Sequence, residues 1–134
     1  MAPLTQRAEI RLRVMYYDTD CGGVVGNIAY LRFIEQARTE LLETLGVSLG
    51  QTAESREFPA VLRTEIDYKK SAVLGDTIRV EVRLEEMQRV RFWCGFTLFR
   101  DSDQAVLGRC RQQVAFVRVP EGRPIPVPES WLGT

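Results

Sequence analysis

From Leu62 to Val119 the chain alternates apolar and polar residues through four successive runs, and a single long helical period precedes them. Leu62, Thr64, Ile66 and Tyr68 share one face of the first run. After a Gly75-Asp76 turn, Ile78, Val80, Val82 and Leu84 alternate with Arg79, Glu81, Arg83 and Glu85. Val90, Phe92, Cys94, Phe96 and Leu98 make a third run, and residues 105–119 a fourth, beyond a hairpin-like turn at Asp101-Ser102-Asp103. A period of two is the mark of a strand with one buried face. Ile10, Leu12 and Val14 show it as well, near the start. By contrast, Tyr30, Phe33, Ile34, Ala37, Leu41 and Leu45 recur at helical spacing, with Asn27 as the expected N-cap and Gly46 as the stop. Residues 48–56 read as loop with one turn of helix at most. The order predicts an α+β domain over residues 1–120, one helix of about 17 residues packed on a five-stranded antiparallel sheet. Such a sheet leaves edges that need cover, which favours an oligomer. Pro120, Pro124, Pro126 and Pro128 predict that residues 121–134 form an extended tail, neither sheet nor helix.

At 134 residues the chain can bury a real core. Its 18 basic and 18 acidic residues balance, so nothing favours nucleic acid or an anionic membrane as partner. Three cysteines, Cys21, Cys94 and Cys110, form neither a disulfide framework nor a zinc-ligand spacing. Charged residues interrupt the start before an apolar leader forms, and no stretch reaches the length of a membrane span. These features predict a cytoplasmic protein. Histidine is absent altogether. That removes Ser-His-Asp and Cys-His nucleophile systems, His-ligated metals and His general bases. Any catalysis has to run on carboxylates, Tyr, Lys, Cys or backbone dipoles.

Between the first strand and the helix lies Tyr16-Tyr17-Asp18-Thr19-Asp20-Cys21-Gly22-Gly23-Val24-Val25-Gly26-Asn27. Paired carboxylates, a Gly-Gly pivot and a helix start fall within ten residues of one another. Glycines let the backbone approach a ligand, and a helix N-terminus offers free N–H groups to an oxyanion. A carboxylate beside such donors is a minimal hydrolase. The same residues also suit a plain structural turn. A calcium loop fails, because Gly22 and Ala29 stand where its fifth and twelfth positions need ligands. No metal site is expected.

Asp18-Thr-Asp-Cys-Gly-Gly-Val-Val25, with the helix Tyr30-Leu-Arg-Phe-Ile-Glu-Gln-Ala-Arg-Thr-Glu40, closely resembles the hotdog-fold acyl-CoA thioesterases. The resemblance is to the 4-hydroxybenzoyl-CoA thioesterase type, including the acyl-CoA thioesterases associated with the Tol–Pal system. It continues through Arg63-Thr-Glu-Ile-Asp-Tyr68, Leu74-Gly-Asp76 and Phe99-Arg100-Asp101. It implies hydrolysis of an acyl- or aroyl-coenzyme A without a cofactor. Asp20 becomes the catalytic carboxylate, acting as nucleophile or as general base towards water. The backbone N–H of Asn27 becomes the group that polarises the thioester carbonyl. Asp18 becomes a supporting turn residue. The chain departs from the family at Gly26-Asn27, where relatives usually carry an aromatic followed by His or Tyr. Tyr16, Gly23, Val25 and Gly26 are the expected acyl-site neighbours, and Lys69, Lys70, Arg89 and Arg91 the candidates for coenzyme A phosphates. Cys21 and the Glu35–Arg38 pair read as structural. A homodimer assembling to a homotetramer, with the site between protomers, is implied too. A hydratase of the same fold would need a His–carboxylate pair. The alternative that stays open is a non-catalytic acyl-CoA-binding or partner-binding module.

Overall fold

The computed structural model describes residues 6–132. The first five residues of the predicted domain, with the start read above as lacking a leader, and the last two of the predicted tail lie outside the described residues. The elements run β1 (Arg7–Arg13), a 3₁₀ turn (Tyr16–Asp18), α1 (Asn27–Thr44), α2 (Leu49–Ser55), β2 (Glu57–Tyr68), β3 (Thr77–Met87), β4 (Phe92–Arg100), β5 (Ala105–Arg118), β6 (Arg123–Ile125) and α3 (Glu129–Leu132). The sheet is antiparallel throughout, in the order β1-β3-β4-β5-β2, and β6 pairs with β5.

Period-two patterning becomes one buried sheet face. Ile78, Val80, Val82 and Leu84 from β3 meet Phe92, Cys94, Phe96 and Leu98 from β4, all fully buried. Phe33, Ile34, Ala37 and Leu41 of α1 join them in a single cluster. Burying side chains of this size stabilises the fold by roughly 1.5–3 kcal/mol each. The helix begins one residue after its expected cap: Gly26 is the N-cap, with no capping side chain, and Asn27 is the first helical residue. Its end is a Schellman motif. Val47 N–H donates to Leu42 O at 2.8 Å and Gly46 N–H to Glu43 O at 3.0 Å, with Gly46 at φ 97°.

Two elements exceed the sequence expectation. Residues 49–55 form a capped helix, because Ser48 and Gln51 exchange hydrogen bonds in a capping box, at 3.2 Å and 3.3 Å. The tail is not merely extended. Beyond Val114, where β4 no longer pairs with β5, Phe116, Val117 and Arg118 pair instead with Ile125, Pro124 and Arg123. This makes the sheet six-stranded rather than five. Trp131 of α3 then packs on Phe92 and Phe116 within the core.

A polar link crosses the layers. The buried Arg38 guanidinium donates to the side-chain amide oxygen Oε1 of Gln112, and Gln112 Nε2 donates to Thr64 Oγ1 at 3.2 Å. It ties α1 to β5 and to β2, so the helix is fixed in rotation as well as in depth. β2 lies at the sheet's edge, which is where Pro59, lacking an N–H, is tolerated.

Candidate active site

The two carboxylates of the 18–26 turn have different surroundings. Asp18 is buried: one oxygen accepts the Met15 N–H at 2.9 Å, the other accepts Arg32 Nη2 at 2.7 Å, and its carbonyl receives the Gly26 N–H. It pins the turn to the helix start. Asp20 is exposed. Its Oδ1 accepts the Gly22 N–H at 3.0 Å, and its backbone N–H donates to Val24 O. No hydrogen bond to Oδ2 is made among the described residues. Gly23 closes the turn at φ 77°, a conformation that side chains resist. Bridges from Thr19 to Val25 and from Val24 to Val73 hold the loop flat.

The chain then enters α1 with no side chain over its first amides. The N–H groups of Asn27 and Ile28 have no carbonyl one turn back, so this end carries free donors and a partial positive charge. A cavity of about 210 Å³ opens beside it. Of the expected residues Val25, Asn27, Lys69 and Lys70 line it and Asp20 does not; Tyr30, Tyr68 and Ser71 line it too, and were not singled out as site residues. Larger grooves flank α2 and contain none of the expected residues.

An arch of residues 69–72 forms the far wall, and its placement depends on β5. The β4–β5 register shifts so that Leu107 bulges, with Leu98 opposite Gly108 and Phe99 opposite Val106. The Leu107 carbonyl then accepts both the Lys69 and Lys70 N–H groups, at 2.8 Å and 3.1 Å. Gly108 lets β2 come this close; a Cβ there would stand 2.8 Å from the Asp67 carbonyl oxygen. Arg100 Nη2 donates to Ser71 O at 3.1 Å. The arch ends on the helix: Ala72 N–H donates to the Tyr30 hydroxyl at 3.0 Å, and Val25 N–H to Ala72 O at 2.9 Å. A bulge beside a site, re-aiming the adjoining chain, is a recurrent device.

Other expected residues stand apart from this cavity. Gly23 and Gly26 belong to the turn and the N-cap. Tyr16 projects from the 3₁₀ turn, 81% exposed. Arg89 and Arg91 sit in the β3–β4 hairpin, beyond the end of β3 that lies away from Asp76 and the arch. Eleven residues of β3 separate the two ends, about 35 Å at strand rise. Within one chain they do not join Asn27.

The thiols are sorted by burial. Cys94 and Cys110 are enclosed, and burial pushes each thiol up to about 12. Cys21, next to Asp20, is exposed. In native protein near pH 8, a maleimide is expected to modify Cys21 alone and to block the site, as read by intact mass and activity. Three modified thiols without denaturant would contradict the packing. Among the described residues no cluster of three metal-ligating side chains occurs, and no helix is long and apolar enough to cross a membrane.

The thioesterase-like superfamily matches residues 14–133 of the sequence. The acyl-CoA thioesterase YbgC of Haemophilus influenzae is 34% identical over 120 residues, which is 89% of this chain and 87% of that protein. Among solved structures, the PA2801 protein of Pseudomonas aeruginosa is 31% identical with a TM-score of 0.81, covering 96% of this chain and 95% of that one. Slr0204, a 1,4-dihydroxy-2-naphthoyl-CoA thioesterase from Synechocystis, has a TM-score of 0.84 at 22% identity, covering 94% and 93%. That last likeness is one of fold.

Proposed function

The chain belongs to the thioesterase-like superfamily, and we infer from that premise that it is an acyl-CoA thioesterase acting on an acyl- or aroyl-coenzyme A. The observation that carries the reading is the free carboxylate oxygen of Asp20, in the turn that leads into an uncapped helix start. A thioester has little resonance stabilisation, so a carboxylate can attack its carbonyl directly or deprotonate a water that does. Both routes build negative charge on the carbonyl oxygen. The Asn27 N–H and the helix dipole would receive that charge, and a single such donor contributes about 2.7–4 kcal/mol to the barrier drop. Gly23, Gly26, Val25 and Tyr16 would flank the acyl end. Lys69 and Lys70 are exposed and free of ion pairs among the described residues, which leaves their ammonium groups, on long stems, available to phosphates outside the cavity. Arg89 and Arg91 would reach coenzyme A only from a second protomer.

That protomer is part of the reading. β2 is 12 residues long and among the described residues pairs on one side alone, and residues 61–65 along it are exposed, Val61 and Leu62 included. An edge of this length is a template for another strand. Two-fold pairing of β2 with its copy would continue the sheet and set the arch of one chain near the far end of the other. We take residues 1–120 as the catalytic unit of a homodimer that doubles to a homotetramer. Sedimentation is expected to give the mass of two or four chains, and a species of one chain's mass would overturn this assembly. The three free thiols support a reducing, cytoplasmic setting. The function is tested by free thiol released from a panel of aliphatic and aromatic acyl-CoAs, with turnover of at least one class expected; no release from any would refute it.

A further inference from the structure

We propose that Tyr68 is the residue that sets the size of acyl group this site accepts, because its ring forms a fixed wall of the cavity at Asn27. The proposal rests on the thioesterase reading. Tyr68 ends β2 on the strand face that bears Ile66, opposite Gly108 of β5, so no cross-strand side chain competes for its space. Its ring meets Tyr30 edge-on, centroids 5.4 Å apart at 65°. Tyr30 is itself immobilised: it is buried, packs edge-on against Phe33, and its hydroxyl accepts the Ala72 N–H. One side of the Tyr68 ring is therefore anchored, while the residue as a whole remains 47% exposed where the cavity opens. Burial, with Cys110 adding to it, raises the hydroxyl above the ordinary tyrosine value, so the wall is uncharged at working pH.

The geometry makes this ring a size gauge. The cavity is small, about 210 Å³. A group polarised at the Asn27 N–H and lodged in this cavity would share it with the Tyr68 ring, which lines it too. Asn27 makes a poor gauge by comparison, since it is exposed. Lys69 and Lys70 offer flexible stems rather than a surface. A second protomer along β2 would roof the open side and leave Tyr68 in place.

The test uses two full-length variants that change the wall in opposite directions, Tyr68→Leu and Tyr68→Trp, each assayed by thiol release on a graded acyl-CoA series. The position is half exposed at a strand end, and circular dichroism checks each fold. Tyr68→Leu is expected to raise kcat/KM for the bulkier acyl groups relative to the smallest by about tenfold or more, and Tyr68→Trp to shift the ratio the other way. Inhibition by free coenzyme A should be the same in all three proteins, which separates the acyl wall from the phosphate contacts. If both variants lower every acyl group by a common factor, or leave the profile of the wild type, Tyr68 is not the gauge. If the wild type itself releases no thiol, the underlying thioesterase reading fails first.

Discussion

Asp20→Asn is expected to lower thiol release by about 10²-fold or more while changing stability by no more than about 0.5 kcal/mol. Asparagine keeps an oxygen where Asp20 Oδ1 accepts the Gly22 N–H, so the turn survives. It removes the negative charge, and with it both available roles, nucleophile and general base. The neighbouring Asp18 makes the contrast useful. Its two oxygens are occupied by Met15 and Arg32, and it is buried, so its contribution is to hold the turn. A loss of turnover at Asp20 without loss of folding therefore separates chemistry from scaffold. Thiol release and thermal unfolding measured on the same preparation check both halves.

The largest stability effect is expected from the tail. Trp131 is buried, edge-on to Phe92 at 5.4 Å and tilted on Phe116 at 5.5 Å, and its carbonyl accepts Gln6 Nε2. Trp131→Ala should cost about 3–5 kcal/mol. For a domain of this size that lowers the melting temperature by roughly 10–20 °C. The indole N–H has no partner among the described residues, so Trp131→Phe, which keeps an aromatic ring and deletes that donor, should cost far less. Activity per folded molecule should hold in both variants, because Phe92 and Phe116 lie at the hairpin end of the sheet and not beside Asn27. A melting temperature within a degree or two of the wild type for Trp131→Ala would mean that the tail is not part of the core.

Local pattern made most of the fold legible. The 3.6 period of α1 and the alternation of β3 and β4 each report which side faces the core, and Gly46 marks the helix end that its positive φ requires. The α2 helix was legible too, in Ser48 and Gln51 three residues apart, but that cue is short and carries no apolar period. The tail was not. A lone Trp131 after four prolines has no periodicity, and its burial depends on space left beside Phe92 and Phe116 once the sheet forms. The same limit applies at the site. Asp20 and Asn27 stand in one short segment of sequence, seven positions apart, and could be singled out together. Tyr30 and Tyr68 read as ordinary members of a helix face and a strand face. Tyr30 stands three residues beyond Asn27 on the same helix, but what brings Tyr68 there is its pairing with Gly108 and the bulge at Leu107, neither of which a local pattern encodes. Charge alone is a poor guide to position. It nominated Lys69 and Lys70, which line the cavity, and equally Arg89 and Arg91, which lie at the other end of the sheet.

The most direct measurement follows acyl-CoA binding and thiol release in one sample, recording intrinsic fluorescence and free coenzyme A together for the wild type and Asp20→Asn. The account predicts that the wild type converts bound thioester to coenzyme A and free acid in equal amounts, whereas the variant binds the thioester and holds it intact. Binding without thiol release by the wild type would contradict it and identify a non-catalytic acyl-CoA-binding module instead.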